Sequence, residues 1–247
     1  MAKQSGIGDR LLVRGYDISG AVSALSKVGM ASETLDVTAI SSGARERIYG
    51  LADGEISFTG YWDDAPGKLH DVLNAPRTPE ERIVTYLRGQ ALGGQAAAMT
   101  ARQINYDWTR EAAGGLTYSV QCLSSNRGLD WCVQLTPGIR TDASATSGAS
   151  VDNGAATSTG WAAYLQVLAL TSGTPQVIIE ESSDNGGSDP WAALSGATFT
   201  GISAPGAYLL RSANLTASVE RYLRVRTSGT FSGLQFVVVF NREPVEV

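Results

Sequence analysis

The sequence predicts a mainly β protein: an N-terminal β-sandwich or barrel with one short flanking helix, followed by a C-terminal β-sandwich. Short segments of alternating apolar and polar residues recur along the chain, as strands with one buried face require. The 28 glycines, with many serines and threonines, supply turns between these segments. Two short segments have a helix start, and we predict a helix at only one of them, so helices contribute little.

The first half contains several predicted strands and the one predicted helix. Pro66 opens the helix predicted over Pro66–Leu73, because proline is favoured in a first helical turn. The segment 82–88 follows a good helix start, but its β-branched residues and Gly89 favour a strand, which we choose. The other predicted strands are 11–18, 34–38, 56–62 and 99–106.

Both cysteines fall in a predicted hairpin. The segments 117–123 and 129–135 alternate, and residues 124–128 between them are typical of a turn. A turn near Arg127 would place Cys122 and Cys132 opposite each other, where a strained disulfide is possible. No secretory signal is found, so a reducing compartment and two free, half-buried thiols are expected.

The composition changes near residue 150, and we predict two domains. Residues 141–160 are small and polar except for Val151, which is typical of a linker or surface loop. All lysines precede this segment, and the part that follows is the more acidic. The predicted units are a domain over 1–140, a linker over 141–160 and a sandwich over 161–247. Strands of the sandwich are predicted at 162–170, 176–182, 221–227 and 234–240.

Charge and motifs exclude several classes of protein. The net charge of −5 argues against a general nucleic-acid binder, since phosphate binding needs a basic excess. No apolar run is long enough for a membrane span, so no membrane partner is expected. His70 is the one imidazole, and we interpret it as a surface histidine on the short helix. No nucleophile, phosphate-loop or dinucleotide motif occurs, so we expect no enzyme, catalytic residue, metal or cofactor.

Three runs of the first half resemble the major tail tube proteins of long-tailed (siphovirus-type) bacteriophages. They are an opening strand Tyr16–Val22, a strand Glu33–Thr38 containing Asp-Val-Thr, and the segment Gly43–Asp63. The last joins a charged loop to Gly-Leu-Ala-Asp-Gly-Glu-Ile-Ser-Phe-Thr-Gly and an acidic turn. The pattern covers about the first 140 residues, and the C-terminal sandwich resembles the decoration domains that such proteins carry.

The resemblance implies a structural role in a virion tail. Such subunits form hexameric rings that stack into a hollow tube, with a tape measure protein and a tail terminator as further partners. Viral DNA passes through the lumen without specific binding, and an acidic subunit suits that passage. The protein would be made in the cytoplasm of the bacterial host.

The resemblance also implies a loop that reaches the adjacent ring, at about residues 38–50. The residues expected in this self-assembly loop are Thr38, Arg45, Glu46, Arg47 and Tyr49. The arginines and Glu46 would make ion pairs between rings; a loop of merely solvated charges is the alternative.

Two other functions remain open. One is a decoration or adhesin module that binds carbohydrate through Trp161, Trp191 or Tyr208, although each is more often a core residue. The other is an enzyme, which the single histidine disfavours. The neighbouring carboxylates of Asp63 and Asp64 would point to opposite faces of a strand and so form no acid–base pair.

Overall fold

The fold is mainly β, as predicted. A computed structural model describes residues 5–74 and 81–244. In these ranges one α-helix, α1 (Leu69–Leu73), and one 3-10 turn (Ser19–Ala21) accompany the strands. The strands are β1 Arg10–Val13, β2 Tyr16–Asp17, β3 Val22–Asp36, β4 Arg47–Tyr61, β5 Arg82–Leu87, β6 Gln95–Gln103, β7 Asp107–Arg110, β8 Leu116–Ser124, β9 Asp130–Gln134, β10 Arg140–Asp142, β11 Ser147–Asp152, β12 Ala162–Ala169, β13 Ser172–Gly173, β14 Gln176–Ser182, β15 Ala192–Phe199, β16 Gly206–Arg211, β17 Tyr222–Ser228, β18 Phe231–Ser232 and β19 Leu234–Asn241.

The main sheet curls into a nearly closed barrel. Its strands follow the order β16-β12-β19-β9-β6-β5-β1-β2, and further strands branch from this path. The two ends of the path meet at Gln166 of β12, whose Nε2 donates to the Ile83 carbonyl oxygen (3.1 Å) and to Thr85 Oγ1 (3.0 Å) of β5. The Gly15 N–H between β1 and β2 donates to Gln166 Oε1 at 2.7 Å. One buried side chain therefore links both ends of the sheet.

Gly15 explains why the predicted strand 11–18 is broken. It has a φ of 85°, and a Cβ there would lie 2.5 Å from both the Gly206 N and the Val167 carbonyl oxygen. Glycine alone fits such a close approach of two backbones in the left-handed region. The segment consequently forms two short paired strands instead of one.

A second sheet, in the order β11-β17-β14-β15, packs on the C-terminal strands of the barrel and completes the predicted sandwich. β12 shows how one strand serves two cores. Its alternate residues from Ala163 to Val167 pack in the sandwich, whereas those from Ala162 to Gln166 face the barrel interior. This alternation is the period-2 geometry of a strand buried on both faces.

Several predicted elements are confirmed, and others differ. β5, β12, β14, β17 and β19 match predicted strands, and α1 occupies the end of the predicted helix. Residues 141–160, expected as a linker, contain β11, which pairs with β17 through Val151 and Leu223. Small polar residues suffice there because pairing uses the backbone. The division into two domains stays a prediction, while the main sheet pairs Gln134 of β9 with Val239 of β19.

The predicted cysteine hairpin is wrong. β8 and β9 are not paired with each other; both pair with β6, through Cys122 opposite Gln103 and Cys132 opposite Ala96. Alternation indicated two strands correctly, but their partner lies earlier in the chain. Both thiols are free, as expected, and are fully buried. Burial raises the pKa of Cys122 to about 12, so this thiol stays protonated.

A buried carboxylate links several strands in the barrel interior. Asp130 is fully buried and accepts hydrogen bonds from the Tyr164 hydroxyl (2.5 Å), Arg211 (2.5 Å) and Asn241 Nδ2 (3.1 Å). These partners come from β12, β16 and β19, so Asp130 links β9 to three strands that lie much later in the chain. A buried ion that keeps its hydrogen bonds is tolerated, but removal of one partner leaves a charge uncompensated.

Asp130→Ala is expected to lower the free energy of unfolding by about 3–5 kcal/mol, because Arg211 then loses its buried counter-charge. Urea unfolding followed by circular dichroism measures this loss. Asp152→Ala is the control, since it removes the carboxylate of an exposed pair with Arg221 and should cost far less. Equal losses in the two variants would contradict a special role for Asp130.

Candidate functional site

A long β-hairpin leaves the barrel and carries the residues of the predicted assembly loop. β3 and β4 have 15 residues each and pair along their whole length, from Val22 opposite Gly60 to Asp36 opposite Arg47. From Gly54 to Gly60 the residues of β4 are alternately buried and half-buried, whereas nearly all residues from 31 to 53 are exposed. We call residues 31–53 the arm.

The arm exposes apolar side chains on both of its faces. Leu35 and Ile48 are paired and share one face, while Tyr49 lies on the other. A register shift follows Tyr49 along β4, so Leu51 does not share its face. Tyr49 and Leu51 are more than 80% exposed. A two-stranded hairpin is marginally stable alone in water, and this one gains no apolar burial along its outer part. The arm thus has the surface of an interface without a partner in the single chain.

The arm tip is closed by its own hydrogen bonds. Thr38 Oγ1 accepts the Glu46 N–H at 2.9 Å, and the Thr38 N–H donates to Asp36 Oδ1 at 3.0 Å. The Thr38 hydroxyl and then its N–H lower the pKa of Asp36. Thr38 therefore shapes the turn, a contribution that residue type alone did not reveal.

The structure places all five predicted loop residues on the arm. Arg45 and Arg47 are exposed and form no ion pair with any residue among those described. Tyr49 projects into solvent one residue beyond Ile48. The segment 38–50, expected as a loop, becomes strand from Arg47 onward. The roles of these residues between rings stay predictions.

A carboxylate fastens the base of the arm. Glu55 accepts a hydrogen bond from Lys27 Nζ at 2.6 Å, and its other oxygen accepts from Ser57 Oγ (2.5 Å) and Gln121 Nε2 (2.9 Å). Lys27 is the largest influence, and together these donors lower the pKa of Glu55 to about 2. The ionised carboxylate thereby joins β3, β4 and β8 where the arm leaves the barrel.

An aromatic cluster lies at the opposite end of β4. The His70 ring stacks on Trp62 with centroids 4.2 Å apart, and Trp62 stacks on Tyr118 at 5.3 Å. Trp108 of β7 completes the cluster, 6.1 Å from Trp62, and is 60% exposed. His70 Nδ1 is 2.6 Å from the hydroxyl of Tyr106.

The sequence did not reveal this cluster. The sequence predicts a surface histidine on the short helix at His70, but the ring is half-buried among aromatic side chains. The only local signal was Tyr61-Trp62 at the end of a strand. The partners from β7 and β8 are brought in by sheet pairing, with Trp108 opposite Tyr118.

The aromatic residues suggested for carbohydrate binding lie elsewhere and are engaged. Trp161 is buried and stacks on Phe240, with centroids 5.9 Å apart. The Arg224 guanidinium covers the Trp191 ring at 4.4 Å, and Tyr208 packs against the sandwich core. Trp161 therefore offers no surface to a sugar.

In the part of the chain that the structure describes, no three His, Cys, Asp or Glu side chains are grouped so as to hold a metal ion. None of the helices in residues 5–74 and 81–244 has the length and apolar character of a membrane span.

Comparisons with known proteins give structural neighbours only. No protein-family model and no curated protein sequence matches the chain. A chain from the tail of an empty gene transfer agent particle with C6 symmetry is 21% identical, with a TM-score of 0.41, and the match covers 50% of this chain and 96% of that one. A chain from the virion of a native gene transfer agent particle is 20% identical, with a TM-score of 0.40 over 52% and 98%. The Dit hub protein of phage SPP1 is 8% identical, with a TM-score of 0.33 over 94% and 98%.

We expect the Glu55 carboxylate to make folding stability pH-dependent. Because its pKa is lowered in the folded protein, the stabilisation is present above about pH 4.3 and is lost as the pH falls towards about 2. Glu55→Gln should lose less stability over this range than the wild type does. Urea unfolding from about pH 5 to about pH 2 measures the difference. Glu111→Gln, which removes an exposed carboxylate, should follow the wild type.

Proposed function

We propose that this chain is a structural subunit of a bacteriophage tail tube, and that its arm connects one ring of subunits to the next. The observation that carries the proposal is the arm itself, a hairpin exposed on both faces with apolar side chains on each. It occupies the residues where the resemblance to tail tube proteins predicts contact with the adjacent ring.

The arm is better suited to assembly than to catalysis or ligand binding. Its exposed side chains include aliphatic and aromatic groups beside charged groups of both signs. Exposed apolar surface of this kind marks a protein–protein contact. Its stabilisation by a partner explains why a long hairpin is retained without a core of its own.

Free strand edges support lateral assembly into rings. Among the described residues β3 pairs with β4 alone, so its other edge presents unpaired backbone groups along a 15-residue strand. Long free edges favour pairing with another chain. Hexameric rings in which neighbouring sheets join would cover this edge, and stacked rings would form a conduit for viral DNA. The tape measure and terminator proteins are the partners that this role requires.

The carbohydrate-binding alternative has less support. It required exposed aromatic platforms in the C-terminal sandwich, and Trp161 is buried there. The exposed tryptophans Trp62, Trp108 and Trp131 all precede the sandwich predicted over 161–247.

Negative-stain electron microscopy and light scattering of the purified chain test the proposal. Hollow tubes of regular width are expected at high concentration. Leu51→Ser should raise the concentration needed for tubes about tenfold or more, because a leucine buried on assembly contributes about 1.5–3 kcal/mol. The stability of the single subunit should not change, since Leu51 is 82% exposed.

Leu215→Ser is the matched control. It removes an exposed leucine outside the arm and should assemble like the wild type. If the wild type stays monomeric at every concentration, or if both variants assemble equally well, the arm is not an assembly element.

A further inference from the structure

The aromatic cluster at the end of β4 has no role in the proposal so far. We call its exposed part, Trp62, His70 and Trp108, the aromatic face. Trp108 is 60% exposed and Trp62 is 37% exposed, while Tyr118 supports the face from below through its stack on Trp62. These stacked rings are held rigid by their neighbours, so a partner that binds them orders few side chains.

Carboxylates border the aromatic face. Asp63 and Asp64 follow directly after Trp62, and Asp107 precedes Trp108. Within the described residues none of the three forms an ion pair. The face therefore combines apolar rings with acidic groups that have no counter-charge.

The arm carries the complementary chemistry. Arg45 and Arg47 lie at its tip without ion pairs to described residues, next to the exposed side chains of Ile48 and Tyr49. Guanidinium groups pair with carboxylates and also stack on aromatic rings. Tyr49 supplies apolar area for the tryptophans. The arm also carries the carboxylates of Glu33, Asp36, Glu46 and Asp53. Its two arginines, and not its net charge, therefore match the acidic groups of the face.

A single chain cannot bring the two surfaces together. Arg47 begins β4 and Tyr61 ends it, so an extended strand of this length holds them about 45 Å apart at about 3.3 Å per residue. An arm can therefore reach only the face of another molecule. Complementary surfaces at opposite ends of a subunit form heterologous, head-to-tail contacts, which repeat without limit along one axis.

We propose that the aromatic face is the docking site for the arm of a second copy of this chain in the adjacent ring. This inference rests on the proposed tube function and names the surface that receives the arm. Trp108 and Trp62 contact the apolar side chains of the arm, and Asp63, Asp64 or Asp107 pairs with its arginines.

Trp108→Ser tests the face. Trp108 is on a fully exposed edge strand, so the variant should fold with unchanged stability, checked by circular dichroism and urea unfolding. The concentration needed for tubes should rise about tenfold or more, as for truncation of an interface tryptophan. Trp131→Ser is the matched control, because Trp131 is 57% exposed but lies on β9 outside the face.

Mixing the variants tests the pairing of arm and face. Trp108→Ser keeps an intact arm, and Leu51→Ser keeps an intact face. In an equimolar mixture, the arm of the first variant should therefore bind the face of the second. Electron microscopy should show short two-ring particles in the mixture at concentrations where neither variant assembles alone. A mixture that behaves like its separate components would overturn the proposal.

Photo-crosslinking locates the contact directly. A benzophenone amino acid replaces Tyr49 in a chain that is otherwise wild type, and the chain is assembled into tubes. It should crosslink to residues 61–71 or 105–110 of another copy. Mass spectrometry of tubes made from isotope-labelled and unlabelled chains distinguishes crosslinks between copies from those within one. Crosslinks confined to other segments would overturn the face as the receiving site.

The outcomes separate the two proposals. If the wild type and Trp108→Ser form tubes at the same concentration, the aromatic face is not the docking site, but the proposed tube function stands. If the wild type does not assemble, both the docking site and the tube function are rejected. If a saccharide binds the tryptophans and Trp108→Ser still assembles into tubes, the face is a sugar site instead.

Discussion

β4 is hydrogen-bonded to β3 along its whole length but to β8 only from Glu55 to Tyr61, and the arm exists because of that difference. Where β8 is present, β4 is part of the barrel and alternates between core and surface. Where β8 ends, the same strand continues with one partner and no core. One continuous backbone thus holds the arm rigidly to the barrel, and the Glu55 contacts reinforce the transition point.

The arm extends from one side of the barrel, and buried polar contacts hold the barrel closed. Gln166 links the ends of the main sheet, and Asp130 joins β9 to three strands of the second half. Such contacts are satisfied only when the strands are in one register. A subunit whose arm lacks internal support therefore gains its order from the barrel to which it is attached.

The sequence was most informative where one face of a strand is buried. The alternation of 56–62 predicted the barrel part of β4, whereas only the end of β3 was predicted, within the strand 34–38, because neither face of its outer part is buried. The partners of Cys122 and Cys132 on β6 were equally invisible, since pairing across the chain leaves no local pattern. The aromatic face escaped prediction for the same reason: Trp62, His70 and Trp108 meet only through the pairing of β4, β8 and β7 and through the position of α1.

The two-sided arm places a further demand on the proposed assembly. Leu35 and Ile48 lie on the face opposite to Tyr49, so one docking surface can cover only some of the apolar side chains. If Tyr49 meets the aromatic face of one subunit, Leu35 and Ile48 require a second surface beside it. A ring supplies that surface, because each subunit has a lateral neighbour, whereas a simple head-to-tail dimer does not. The exposed chemistry of the arm therefore favours rings that stack over single-file polymers of this chain.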